Sequence, residues 1–247
     1  MITYLGKWAG FSAKCWQSCW YGTRSTEAKY SLIPTTTSST IWGNHLVSGS
    51  NRVNDPPPFF TAMSLTESAE IPLGTPAHGF TLVGIDDRHH TLDEYAGARL
   101  LVMIFMCNHC PYVQAIWDDL VTLETVFRSR GVQFLGINAN DASTYPEDSF
   151  ENMKKYARQK RQDFPYLWDE KQEVARQYGA TCTPDIFVYD EKRLLAYHGR
   201  FDNTAGLLHG GQRTSADLAE AIELLLRGEK LSPSQKPSIG CNIKWKD

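Results

Sequence analysis

An α/β fold with a central mixed β-sheet flanked by helices is what this chain predicts, and three observations predict it. The run Leu100-Leu101-Val102-Met103-Ile104-Phe105-Met106 contains no polar residue, the pattern of a strand covered on both faces. It is followed by Val113, Ile116, Leu120, Leu123 and Phe127 at three- and four-residue steps, the period of a helix with one buried face. The same strand and helix alternation then recurs to about residue 227, with a hairpin near its end.

The elements follow in order. Phe80 to Val83 reads as a short strand, Asp86-Asp87 as a turn, and Thr91 to Tyr95 as one helical turn closed by Gly97. Leu100 to Phe105 is the core strand, the helix after it stops at Gly131, and Val132 to Ala139 is the next strand, which completes a β-α-β unit. Glu147 to Arg161 is helical, and its basic run Lys154, Lys155, Arg158, Lys160 and Arg161 reads as a solvated face. Phe164 to Trp168 is a short strand, and Gln172 to Tyr178 a short helix stopped by Gly179. Ile186 to Tyr189 and Leu194 to His198 form a hairpin around Asp190 to Arg193. The last helix runs from about Ser215, its cap, to Arg227, with Gly228 as its stop.

Three regions are expected: an extension over residues 1–62, a domain over 70–230 and an irregular tail over 231–247 that carries Cys241. The extension holds four of the chain's seven tryptophans, a Ser/Thr run and Pro56-Pro57-Pro58, and is expected to be unstructured or to lie outside the native chain. A short amphipathic surface helix is the competing reading of its aromatic spacing. It is too interrupted to span a bilayer and lacks the pattern of a secretory signal, so membrane association is not expected. The net charge of −3, with no Lys/Arg block, argues against a nucleic-acid partner.

Chemistry concentrates in Cys107-Asn108-His109-Cys110, where the core strand meets the helix. Two thiols three positions apart in a first helical turn can close a small disulfide ring, and the helix N-terminus favours a thiolate. Cys107 is therefore expected to be the nucleophile and Cys110 to resolve the mixed disulfide. His109, if protonated, would lower the Cys107 pKa; a solvent-facing ring without that effect is the alternative. A zinc site would need a second Cys/His pair at ligand spacing, and no metal is assigned. Cys182 and Cys241 are candidates for further redox thiols, although an inert buried thiol is the commoner fate of a residue placed like Cys182. His89-His90, beside Asp86-Asp87, reads as a solvated turn.

The order strand, C-x-x-C, helix, strand, helix, then Thr183-Pro184 opening a hairpin and a closing helix, resembles the thioredoxin fold. Leu73 to Ala77 with Phe80-Thr81-Leu82, the Tyr95-Ala96-Gly97 turn, Gly179 to Asp185 and the Gly-Cys-x-Ile-Lys-Trp ending resemble, more narrowly, the AhpC/TSA-type, peroxiredoxin-like group. The resemblance implies a cis Thr183–Pro184 bond packed on the cysteines, with Thr183 and Pro184 contacting an extended substrate. It departs from the peroxidatic pattern Pro-x-x-x-Thr/Ser-x-x-Cys, since Leu100 and Ile104 stand where the proline and the hydroxyl residue belong.

The expected activity is thus thiol–disulfide oxidoreduction by Cys107 and Cys110, without a cofactor. Its partners would be a protein or small-molecule disulfide or thiol substrate and an electron donor such as a thioredoxin or glutathione system. The compartment expected is the cytoplasm, with an extracytoplasmic one as the alternative. A thiol peroxidase is the first rival activity. The second is a metal-handling or assembly protein that binds a soft ion through Cys107, Cys110 and His109 or Cys182.

Overall fold

The computed structural model describes residues 65–203 and 213–246, so the expectation for residues 1–62 lies outside the described residues. Two sheets organise the chain. Seven strands, β2 (Thr81–Gly84), β3 (His89–Thr91), β4 (Leu100–Phe105), β5 (Val132–Asn138), β6 (Tyr166–Trp168), β8 (Asp185–Tyr189) and β9 (Leu195–His198), lie in the order β3-β2-β6-β5-β4-β8-β9. A smaller sheet joins β1 (Leu65–Glu67), β10 (Ile239–Asn242) and β7 (Cys182–Thr183) in the order β1-β10-β7. The helices are α1 (Pro111–Arg128), α2 (Phe150–Lys160), α3 (Glu173–Gln177) and α4 (Asp217–Leu226).

The wholly apolar β4 sits where such a strand must, deep in the large sheet. It pairs parallel with β5 and antiparallel with β8, and all six of its residues are buried. Alternation sends Leu101, Met103 and Phe105 to one face, where they join Leu135, Ile137, Val174, Tyr178 and Phe187 in a core cluster. Val102 and Ile104 take the opposite face and are as completely buried. The helical period after the cysteines is α1, and its Val113, Ile116, Leu120, Leu123 and Phe127 are all buried. Each contributes roughly 1.5–3 kcal/mol by leaving water. Gly131, at φ +84°, then turns the chain into β5. Parallel β6-β5-β4 with antiparallel strands on either side is the thioredoxin fold that the motif order implies.

The structure corrects the sequence reading in three places. His89-His90 is not a solvated turn: both residues belong to β3, and His90 is buried, its Nε2 3.0 Å from Asp86 Oδ1 and its Nδ1 3.1 Å from the Tyr95 hydroxyl. Those two partners make burial of an imidazole tolerable. Ser215 does not cap the last helix, because α4 starts at Asp217 behind Ala216 and the Ser215 hydroxyl is turned onto the Asp217 carboxylate. The tail after residue 231 is not irregular either. Its Ile239–Asn242 segment is the central strand of the small sheet, with Leu65 opposite Cys241 on one side and Thr183 opposite Cys241 on the other. The pattern Ile-Gly-Cys-Asn is too short to announce a strand without its partners. Among the described residues, no helix is long and apolar enough to cross a membrane.

Gly240 is the residue that lets β10 lie this close. A Cβ built there would stand 2.0 Å from the Thr183 carbonyl oxygen, a backbone atom that cannot turn aside. Gly240→Ala is therefore expected to release β10 from β7. Alkylation of Cys241 in the folded, reduced protein should accelerate by ~10-fold or more, the factor that ~1.4 kcal/mol of lost pairing gives; an unchanged alkylation rate would show that the strand accommodates the methyl group.

Candidate functional site

The cysteine motif lies between the end of β4 and the start of α1, and its backbone is fixed by one carboxylate. Asp148 closes a 3-10 turn, Pro146–Asp148, ahead of α2, and is fully buried. Its Oδ1 accepts the Asn108 N–H at 2.7 Å and the His109 N–H at 3.3 Å, while its Oδ2 lies 2.7 Å from His109 Nδ1 and accepts Asn140 Nδ2 at 2.7 Å. Four donors on one buried carboxylate satisfy the requirement that a charge removed from water be paired and hydrogen-bonded. Asn108, also fully buried, completes the frame by donating Nδ2 to the Glu147 carbonyl at 2.9 Å and accepting the Tyr166 hydroxyl at 3.1 Å. Neither Asp148, Asn108 nor Tyr166 was visible as a site residue in the sequence. Asp148 reads there as one more acid near a helix start.

His109 follows from this frame. Its ring stacks on Tyr145 at 5.6 Å with an interplanar angle of 4°, and one fifth of its side chain is exposed. The Asp148 hydrogen bond raises its pKa above the ordinary imidazole value, against the opposing effect of burial. The ring is thus held by Asp148 rather than turned to solvent.

The thiols are placed differently from the expectation too. Cys107 lies ahead of the helix, and Cys110 is the N-cap residue of α1, with Pro111 as the first helical residue. Both sulfurs are buried, Cys107 at 1 % exposure and Cys110 at 0 %. Burial pushes the Cys107 thiol well above its ordinary value, its hydrogen bond to Cys110 and the nearby Asp148 carboxylate push it further, and the Thr183 hydroxyl, 3.5 Å away, works against them. Burial opposes the Cys110 thiolate as well, but hydrogen bonds from Cys107, Cys241, Thr183 and the Val113 backbone outweigh it and bring this thiol well below its ordinary value. Negative charge is therefore better tolerated on Cys110, the N-cap of α1, than on Cys107.

Thr183 and Pro184 lie beside the pair, and the bond between them is cis. The Thr183 carbonyl accepts a hydrogen bond from Cys110 Sγ at 3.1 Å, and its hydroxyl reaches Cys107 as described. A hydroxyl therefore does stand next to Cys107, although Ile104 occupies the sequence position where one was looked for. Cys241 Sγ lies 3.1 Å from Cys110 Sγ, which brings the tail cysteine into the site. Cys182 donates to the Pro184 carbonyl at 3.6 Å, and burial raises its pKa. Cys107, His109 and Asp148 place ligand atoms within 4.8 Å of one another. Two of these atoms already bond to each other, and Cys182 is not part of that group.

The chain is similar to known proteins in sequence and in fold. The sequence model of the AhpC/TSA family matches residues 73–198. A solved structure described as an uncharacterized conserved protein from Geobacillus kaustophilus is 41 % identical, with a TM-score of 0.71, over 74 % of this chain and 97 % of that one. The thiol-disulfide oxidoreductase ResA of Geobacillus thermodenitrificans is 24 % identical over 128 residues, 51 % of this chain and 68 % of the relative. Chloroplastic peroxiredoxin Q of Gentiana triflora is 24 % identical over 155 residues, 63 % of this chain and 66 % of the relative, just under two thirds of its length.

Because the His109 pKa is raised by Asp148, the pair contributes stability that is fully present below the unfolded imidazole pKa and is lost as pH rises through the folded value. Urea melts of the parent should therefore weaken across that window, and those of His109→Ala should lose this component. Asp148→Ala removes all four bonds at once and should cost about 3 kcal/mol. A parent-like urea midpoint for Asp148→Ala would contradict the role assigned to this carboxylate.

Proposed function

The chain belongs to the AhpC/TSA family, and we propose that it is a thiol–disulfide oxidoreductase acting through Cys107 and Cys110. The observation that carries this reading is two buried thiols, Cys107 and Cys110, that both hydrogen-bond Thr183 beside the cis Thr183–Pro184 bond. Cys107 gives up its proton to Cys110, where negative charge is better tolerated. Cys107 then attacks a substrate disulfide, the leaving sulfur departs as a thiol, and Cys110 displaces the second half of the substrate, leaving a Cys107–Cys110 disulfide. Substrate has lost one disulfide and gained two thiols; the protein has done the reverse. A thioredoxin-type dithiol, or two molecules of glutathione that leave as glutathione disulfide, resets the pair.

Thr183 and Pro184 are proposed to bound the substrate position. The backbone of Thr183 already pairs with Cys241 of β10, so an extended substrate chain that pairs along this edge must displace the chain's own strand. Small disulfides need no such displacement.

One observation favours a second reading. The Thr183 hydroxyl, 3.5 Å from Cys107 Sγ, stands where a donor would stabilise charge developing on a hydroperoxide. In that case Cys107 displaces water or an alcohol from the peroxide to give a sulfenic acid, and Cys110 condenses with it to the same disulfide, releasing water.

Cys110→Ser should accumulate a mixed disulfide between Cys107 and substrate, and Cys107→Ser should lose insulin-disulfide reduction. Parent-rate reduction by Cys107→Ser would overturn the assignment of the attacking thiol. Stopped-flow oxidation of the reduced parent by hydrogen peroxide separates the two readings: a rate constant below about 10⁴ M⁻¹s⁻¹ supports disulfide exchange, whereas one well inside the range of efficient enzymes, about 10⁵ M⁻¹s⁻¹ or more, makes the protein a peroxidase.

A further inference from the structure

Cys110 has two thiol neighbours, and the reaction above uses one of them. The other, Cys241, approaches from the opposite end of the sequence with its sulfur 3.1 Å from Cys110 Sγ. Closing that separation to a disulfide of ~2.05 Å needs a movement of about 1 Å. Cys241 is not a thiol on a loose end. Upstream of it Ser238 donates its hydroxyl to the Gly199 carbonyl at 2.9 Å, and its own carbonyl accepts the Ser68 N–H at 2.9 Å. Downstream, Ile243 N–H bonds the Thr181 carbonyl at 3.1 Å, and Lys244 N–H bonds Asn140 Oδ1 at 2.9 Å. Within that frame Cys241 lies opposite Thr183 in the β10–β7 register, and its side chain is buried against the cysteine motif.

We infer that Cys241 is a third redox thiol of this site: an internal partner of Cys110, to which the disulfide formed between Cys107 and Cys110 migrates. The inference rests on the oxidoreductase reading for the formation of the first disulfide. In the transfer itself Cys241 sulfur attacks Cys110 Sγ, the Cys110–Cys241 bond forms and the Cys107–Cys110 bond breaks. Cys107 leaves as the thiolate and takes up the proton given up by Cys241. One disulfide and one thiol are present before and after, so no external oxidant or reductant enters this step. Two consequences follow. Cys107 is returned as a free thiol beside the Thr183 hydroxyl while the protein still holds its oxidising equivalent. The new bond also fastens β10 across Thr183, closing covalently the edge at which an extended substrate would pair.

The test uses the full chain, reduced, desalted and treated with one equivalent of diamide, a two-electron thiol oxidant. Free thiols are then alkylated, and the disulfides are mapped by mass spectrometry after non-reducing digestion. Cys107→Ser should give a monomer in which most of Cys110 is recovered linked to Cys241. The wild-type chain, which needs no substitution to fold, should show this link alongside the Cys107–Cys110 disulfide, and Cys241→Ser should show only the latter. Recovery of Cys110 as a free, alkylated thiol in oxidised Cys107→Ser, or its linkage only to Cys182 or to a second molecule, with no Cys110–Cys241 link in the wild-type chain, would overturn the inference. The Cys107–Cys110 disulfide is read in the same wild-type digest, so failure of that pair and failure of the Cys241 link are distinguished.

Discussion

The site depends on one buried carboxylate. Asp148 collects two backbone N–H groups, an imidazole and an amide on its two oxygens, and three of those four donors belong to the segment between Cys107 and Cys110 or to its histidine. A loop between a strand and a helix has no ladder to satisfy its backbone, and burying it away from water requires side-chain acceptors. Asp148 supplies them. The cost of burying its charge is offset by these four donors, so the loop is held without an unpaired carboxylate. The histidine between the cysteines, through its ring and its backbone N–H, is part of that anchor.

Around that anchor the sulfurs are brought together by three separate parts of the chain. The end of β4 delivers Cys107, the cap of α1 delivers Cys110, and β10 delivers Cys241, while the Thr183–Pro184 bend presses a carbonyl and a hydroxyl onto two of them. Cys110 is the central sulfur in this arrangement. Cys107 and Cys241 flank it, and the α1 N-terminus and the neighbouring donors make it the place where negative charge is best tolerated. Complete burial of the sulfurs means that reaction with anything larger than a small molecule involves movement of the covering chain, and β10, a short strand on the edge of Thr183, is the covering element nearest the chemistry.

Much of this was legible in the sequence because it rests on local pattern. The unbroken apolar run of β4, the stepped apolar residues of α1 and the Gly131 stop each encode their element within a few residues, and the C-x-x-C between them marks the site. What the sequence did not disclose depends on contacts distant along the chain. Asp148 lies forty residues from Asn108, and only the folded turn shows that it is an acceptor rather than a helix-start acid. Thr183 lies 76 residues from Cys107, so its hydroxyl could not be found by looking upstream of the cysteine. Cys241 sits on a four-residue strand whose periodicity is too short to read, 131 residues from the sulfur it touches. His90 failed for a related reason: its burial is made possible by Asp86 and Tyr95, and neither contact follows from composition.

The central claim is that Cys107 and Cys110 form a reversible two-electron redox pair, and equilibration of the full chain with glutathione buffers of graded ratio tests it most directly. The fraction of protein in the disulfide form, read from alkylated peptides, should titrate as a single two-electron couple, about 30 mV per tenfold change in ratio. The bond that appears first should join Cys107 and Cys110. A chain that stays a dithiol across the whole range, or that becomes oxidised at Cys107 to sulfinic acid without ever forming that bond, would contradict the account.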